Sequence, residues 1–295
     1  MIREFLASVA RNESIGPVIG RTPVARDLLT RLVGGESIDD VVAVAAELSD
    51  AGYLVAIERA CRPDAPVDAA LAEHLALVDA IAASDLSGVA EVAVLPESFG
   101  PRADDDLRVL AQRAQAAGVP LMLGNGPGTD AERAVALHAG LAEQGLAVGI
   151  TVPAAVRASE SLCASLPGRV RLVKGGRGGR APMAYSQPIE IDKSFVRCAK
   201  ALMRGSSDPS FSTHDARLIS IVESLANRAE RSESSYEFTM FMGRAESEQA
   251  RLLAEGRQVR VYVPYGPEWF DRLVAGLAEQ PSSIAAAVRS LLPGA

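Results

Sequence analysis

Eight short runs of β-branched and apolar residues alternate with amphipathic helical patterns along most of this 295-residue chain, and that alternation constrains the fold more than any other feature. The runs are Tyr53–Ile57, Val89–Leu95, Pro120–Leu123, Ala147–Val152, Val170–Lys174, Ser210–Thr213, Tyr236–Phe241 and Val259–Pro264. Helical stretches lie between them: Val67–Ala83 carries Leu71, Leu75 and Val78 on one face, and Asp215–Asn227 carries Leu218, Val222 and Leu225. Asp130 and Asp215 stand where N-caps belong, and Gly118, Gly145 and Gly256 where helices should stop before a strand. Strand-then-helix units build parallel sheets, and eight of them close a barrel. The expected fold class is α/β, a (βα)8 TIM-type barrel, with a doubly wound open sheet as the alternative. Residues 1–50 carry two further helical patterns, about Ala25–Val33 and Ile38–Ala51, and read as an N-terminal helical arm on a barrel of residues 51–295.

The 48% apolar content is ample for one large core. A net charge of −7 argues against a nucleic-acid or anionic-membrane surface. No apolar run reaches membrane-spanning length, so any membrane contact would be peripheral. The start, Met1-Ile2-Arg3-Glu4-Phe5-Leu6, is too briefly apolar for a signal peptide. Cys61, Cys163 and Cys198 show neither zinc spacing nor a disulfide framework, which favours free thiols in a reducing cytoplasm.

In a parallel barrel, chemistry gathers at the C-terminal ends of strands. That rule selects Glu58, Glu97, the Gly124-Asn125-Gly126-Pro127-Gly128 loop, the Lys174 loop, His214-Asp215 and Tyr262. The run Arg171-Leu172-Val173-Lys174-Gly175-Gly176-Arg177 is the most telling. A buried strand delivers one of only three lysines, followed by two glycines whose backbone N–H groups can approach a phosphate or a flavin. The Gly124–Gly128 loop resembles a dinucleotide fingerprint but has Thr129 where the third glycine belongs, so a tight turn is the simpler reading. His74 and His138 lie within helical patterns and read as structural. His214 differs through its strand-end position, and no neighbour stands at metal-ligand spacing. Taken alone, Glu237 and Tyr262 read as satisfied polar groups inside the barrel wall.

In their order along the chain these pieces resemble the proline dehydrogenase family of distorted, flavin-dependent barrels. Arg169-Val170-Arg171-Leu172-Val173-Lys174-Gly175 is similar to its V-R-L-V-K-G strand, and Thr213-His214-Asp215-Ala216-Arg217-Leu218-Ile219 to its T-H-D-x-R-L-I segment. Tyr236-Glu237-Phe238-Thr239-Met240 resembles its F-E-F-Q-M strand, and Arg260-Val261-Tyr262-Val263-Pro264-Tyr265-Gly266 its R-V-Y-V-P-Y-G strand. Arg289-Ser290-Leu291-Leu292 resembles the closing helix, while residues 35–160 fit more loosely. The resemblance implies an oxidoreductase of proline metabolism: a flavoprotein whose FAD accepts a hydride from the carbon beside the proline nitrogen and passes electrons to a quinone. It implies Arg171, Tyr262 and Glu58 as catalytic residues. Arg171, Val173, Lys174, Gly175 and His214 would hold FAD, with Glu237 supporting His214. Tyr262 would face the substrate, and no metal or nucleic acid takes part.

The pattern breaks on the substrate side. The arginine pair that grips the proline carboxylate in the family falls here at Ala275 and Gly276. Each lost charge-assisted hydrogen bond is worth roughly 1.5–3 kcal/mol, so free proline should bind poorly. Further residues of the family give way to Arg272, Arg177, Leu95 and Pro153. Two accounts follow. In the first, FAD is kept and the C–N bond of another amine or imino-acid-like small molecule is oxidised, with Arg177 or Arg180 meeting a new anion. In the second, the chain is an inactive paralogue with a binding or regulatory role.

Overall fold

The computed structural model describes residues 31–60, 69–124, 131–174 and 183–269, and these form a closed parallel barrel of eight strands paired in sequence order. The strands are β1 Leu54–Arg59, β2 Ala90–Val94, β3 Leu121–Leu123, β4 Val148–Pro153, β5 Arg169–Val173, β6 Asp208–Ser212, β7 Glu237–Phe241 and β8 Gln258–Tyr265. Each of the eight expected runs is a strand, displaced by at most two residues at either end, and β8 pairs with β1 to exclude the open sheet.

Helices α1 Ile38–Asp50, α2 Ala70–Ala83, α3 Ala103–Ala117, α4 Ala131–Glu143, α5 Ser159–Ser165, α6 Pro188–Arg204, α7 Ala216–Arg228 and α8 Glu246–Ala254 surround the strands. Ser37 begins α1 with a reciprocal capping box to Asp40. Val41 and Ala45 of α1 are fully buried against the strand residues of β1 and β8. The earlier arm pattern lies outside the described residues except for Arg31–Val33, which form a turn and bend. Gly118 closes α3 at φ 68°, and Asp215 caps α7 by accepting from the Arg217 N–H at 3.1 Å, both as the sequence requires. Asp130 lies outside the described residues.

Alternation along each strand sorts the side chains between two cores. Val55 and Ile57 of β1, Val170 and Leu172 of β5, and Val261 and Val263 of β8 point outward into apolar clusters shared with the helices. Glu58, Glu91, Arg169, Arg171, Glu237, Arg260 and Tyr262 therefore face the barrel interior. There Arg260 grips Glu237 with two hydrogen bonds, 2.8 and 3.0 Å long, and donates to the Val55 and Val89 carbonyls. Arg169 spans Glu91 at 3.0 Å and Glu237 at 2.6 Å, and also reaches the exposed Asp208 at 3.0 Å. Arg171 pairs with Glu91, which is fully buried.

Burial alone would raise the Glu237 pKa, but the guanidiniums of Arg260 and Arg169 outweigh it and hold the carboxyl at about 2. That value lies below the ordinary 4.5, so the carboxylate contributes stability that is complete above pH 4.5 and lost as pH falls toward about 2. Replacing Glu237 by Gln should take from buried Arg260 its two-point carboxylate partner and from Arg169 one of three, and cost about 3–5 kcal/mol. The expected result is a lower denaturant midpoint with an unchanged slope, and a flatter loss of stability with acid than in the parent. Equal midpoints near neutral pH would contradict the network's role.

Candidate functional site

The open end of the barrel is built where β1, β5, β6, β7 and β8 finish. Arg171 projects inward from β5 with a side chain only 3% exposed. Its guanidinium lies 5.4 Å from the centre of the Tyr262 ring, a cation–π contact from the neighbouring wall. Burial lowers its pKa to about 10, so it stays charged at neutral pH. One guanidinium nitrogen faces Glu91, whereas Nε is buried with no hydrogen-bond partner among the described residues. Such an orphaned donor in a barrel centre suits a ligand acceptor arriving from above.

Tyr262 stands on β8 in register with Ala56, two residues below the Glu58–Pro264 pair and on the same inward face. Its hydroxyl donates to a Glu58 carboxylate oxygen. The three residues assigned to chemistry, Arg171, Tyr262 and Glu58, are therefore one cluster linking β5, β8 and β1. Phe241, at the end of β7, extends it outward: its ring lies 4.9 Å from Tyr262 and 5.9 Å from His214, and it is 44% exposed. Phe241 has no titratable or donor group and no place in the motifs, so its sequence carried only the signal of an aromatic at a strand end.

His214 follows β6 and accepts a hydrogen bond from the Phe241 backbone N–H at Nε2, 3.0 Å away. An accepting Nε2 fixes the neutral Nδ1–H tautomer. Burial, and then the charge of Arg244, depress its pKa to about 4. His214 is thus a neutral hydrogen-bond donor at the mouth. His74, by contrast, donates Nδ1–H to the Ala70 carbonyl at 2.7 Å and packs on Phe99, and like buried His138 it plays the structural part its helical setting suggested.

Lys174 emerges just past β5, but its ammonium is already engaged. It bridges Asp215 at 2.8 Å and Asp192 at 2.9 Å, and Arg217 joins the same carboxylates at 2.5 and 3.5 Å. Burial would lower the lysine pKa, yet the two carboxylate hydrogen bonds reverse this and leave it raised. Val173 is half-buried on the inner face of the same strand. Glu237 requires a correction. It heads β7 within the ionic network, whereas His214 binds the far end of that strand, about 13 Å away at 3.3 Å per residue. The strand separates the two residues, so Glu237 does not support the His214 ring. Gly175, Arg177, Arg180, Arg272, Ala275, Gly276, Cys61 and residues 125–130 lie outside the described residues.

Among the described residues no group of three or more His, Cys, Asp or Glu is placed to hold a metal ion. No described helix is long and apolar enough to cross a membrane. Cys163 and Cys198 are buried free thiols.

Imidazole nitrogen spectra should show His214 as the Nδ1–H tautomer down to pH 6, titrating near pH 4. Protonation removes the acceptor of the Phe241 amide, whose exchange should quicken over the same range. A His214 titration at the ordinary 6.5 would contradict its buried placement.

Comparison with known proteins bears on the same half of the chain. The protein-family model for proline dehydrogenase matches residues 178–269, beginning just after the Arg171–Lys174 strand. Proline dehydrogenase 2 of Bacillus subtilis is 30% identical over 122 residues, covering 41% of this chain and 40% of that protein. Proline dehydrogenase of Deinococcus radiodurans is 31% identical over 125 residues, 42% of this chain and 40% of the relative. The chain's match thus spans about 40% of the length of these curated relatives. Among solved structures, proline utilization A of Bdellovibrio bacteriovorus, inactivated by N-propargylglycine, superposes with a TM-score of 0.78 at 18% identity. That superposition covers 92% of this chain and 36% of the other, and shows the common barrel fold.

Proposed function

We propose that this chain is a divergent proline dehydrogenase-like protein, an FAD-linked oxidoreductase acting on a CH–NH group of a small molecule, on the support of the matching family model, the curated relatives and the shared barrel. The observation that carries the reading is the orphaned Nε of Arg171, held at the barrel centre beneath the mouth by Glu91 and Tyr262. A buried, charged donor without an acceptor fits the ring of a flavin, and Val173 and His214 flank the same opening. When bound, FAD supplies the hydride acceptor.

The chain's own residues do the rest. Arg171 presents a preorganised positive charge where negative charge develops, in a site from which water is largely excluded. Val173 offers an apolar edge, and neutral His214 offers an Nδ1–H donor whose charge state does not change near neutral pH. The Tyr262 hydroxyl orients the Glu58 carboxylate, which is suited to receive an N–H of an amine. Lys174 and Gly175 would meet the pyrophosphate, with Lys174 exchanging Asp192 or Asp215 for it. The substrate is an amine or imino-acid-like molecule other than free proline, because Ala275 and Gly276 cannot hold a carboxylate. Arg177 would lie on the substrate side, a quinone would take the electrons, and the cytoplasm is the compartment that fits the free thiols.

The Lys174 arrangement favours a second reading, an inactive binding or regulatory paralogue, since two carboxylates already neutralise the charge a pyrophosphate would seek.

Purified protein should be yellow or become so on addition of FAD, and pyrrolidine-type amines should bleach it anaerobically where L-proline does not. Arg171→Met should slow bleaching by about a hundredfold or more, the scale for losing one preorganised charge donor. A colourless protein that takes up no FAD would overturn the cofactor. A yellow protein that no cyclic amine bleaches would favour the inactive reading.

A further inference from the structure

Arg244 differs from the other arginines around the barrel mouth. Arg59 is held by Glu73 and Glu268, Arg171 by Glu91, and Arg217 by Asp192. The Arg244 guanidinium has no carboxylate, carbonyl or aromatic partner among the described residues, although the side chain is half-buried. Burial alone acts on its charge, lowering its pKa, and that charge in turn reaches His214. A cation withdrawn from water without a counter-charge costs stability, so its retention needs a reason.

The turn that presents it is also costly. Arg244 lies between Gly243 at φ 67° and Ala245 at φ 51°, so a left-handed residue stands on either side of it. Gly243 has no substitute, because a Cβ there would lie 2.7 Å from the Arg31 carbonyl oxygen. Ala245 carries its Cβ into the left-handed region, which L-residues other than glycine rarely adopt. Buried Gln249 then locks the turn, its side-chain amide donating to the carbonyls of Arg244 at 2.7 Å and Phe241 at 3.2 Å. The Arg244 N–H closes the turn on the Phe241 carbonyl at 3.1 Å. A charge unpaired among the described residues is thus presented by a clamped turn, strained at the next residue Ala245, beside the aromatic wall of the mouth, and such strain clusters at ligand clamps.

We propose that Arg244 is an oxoanion-binding residue of the barrel mouth, receiving a carboxylate or phosphate of the molecule bound beside His214. A guanidinium fork matches both groups with paired hydrogen bonds. The inference rests on the preceding reading only in taking the mouth as a small-molecule site. The oxoanion has two sources: an acidic group on the substrate, gripped from the β7–α8 turn in place of the arginines missing at 275 and 276, or the pyrophosphate of FAD.

Titrations of the parent protein, Arg244→Gln and Arg244→Lys with FAD, riboflavin, inorganic pyrophosphate and cyclopentanecarboxylate separate these. Arg244→Gln should weaken at least one anionic probe by about tenfold or more while leaving riboflavin unchanged. Arg244→Lys keeps the charge, and so the fold, and should lose about threefold or more through loss of the fork. Weakening of FAD and pyrophosphate together assigns the phosphate source. Weakening of the carboxylate alone assigns the substrate source. A parent protein that binds neither flavin but loses pyrophosphate or carboxylate affinity on Arg244→Gln sinks the flavin reading and leaves this one standing. Equal affinities in the parent and both variants for every anionic probe, or no anion binding by the parent, would overturn it.

Discussion

The buried ion network inside the barrel is the constraint on which the mouth depends. A closed eight-stranded barrel must fill its interior with side chains, and most barrels of this kind do so with branched apolar residues. Here the filling is Glu91, Glu237, Arg169, Arg171 and Arg260, tied to one another and to the Val55 and Val89 carbonyls. Buried ion pairs give little net stability over a well-packed apolar core, because desolvation offsets most of the attraction. What they give instead is position. Glu91 meets Arg171 and Arg169 together, so the Arg171 side chain is fixed from below, and the Tyr262 ring bounds it from the side. The charge proposed to act on a ligand is therefore anchored from below by a fully buried carboxylate.

This arrangement also explains which parts of the molecule could be read from the sequence. Strand positions were legible because outward residues such as Val55, Ile57, Val170 and Leu172 belong to a continuous apolar core, and their two-residue period survives in the chain. The cluster of Arg171, Tyr262 and Glu58 was legible through motifs at strand ends. The network was not, because its members come from β2, β5, β7 and β8 and meet only through the parallel register. Glu237 shows the consequence. Its motif placed it near His214, but the strand between them carries the two residues to opposite ends, and its partners are arginines far away in sequence.

Lys174 and Arg244 are a second pair of contrasts that sequence alone does not separate. Lys174 looked free because it follows a strand and precedes glycines, yet helix α6 brings Asp192 and the α7 cap brings Asp215 onto its ammonium. Arg244 looked ordinary, one arginine among many in a turn, yet the fold places no described carboxylate beside it. Whether a cation is available to a ligand depends on the helices packed around it, and local pattern does not report that. The one local signal for Arg244 was the adjoining Gly243, which the close approach of Arg31 requires.

Together these features divide the mouth by charge. On the β5–β6 side, two lysine–carboxylate contacts and the Arg217 pairs leave the cations neutralised. On the β7–β8 side, Phe241, Tyr262 and neutral His214 form an aromatic wall, with Arg244, unpaired among the described residues, in the turn beyond it and Glu58 at its inner end. A ligand carrying both an amine and an acidic group would find opposite charges at the two ends of that wall, whereas one without an acidic group would engage Glu58 alone. Glu58 lies near the end of β1 and Arg244 in the turn after β7, which Gln249 and the Phe241 carbonyl clamp, so their separation is set by the barrel and that turn together. Under the proposed reading, the spacing between amine and acid in the ligand is therefore what this wall would select. On that reading, the same criterion would separate a proline-sized molecule from a longer one without reference to the arginines missing at positions 275 and 276.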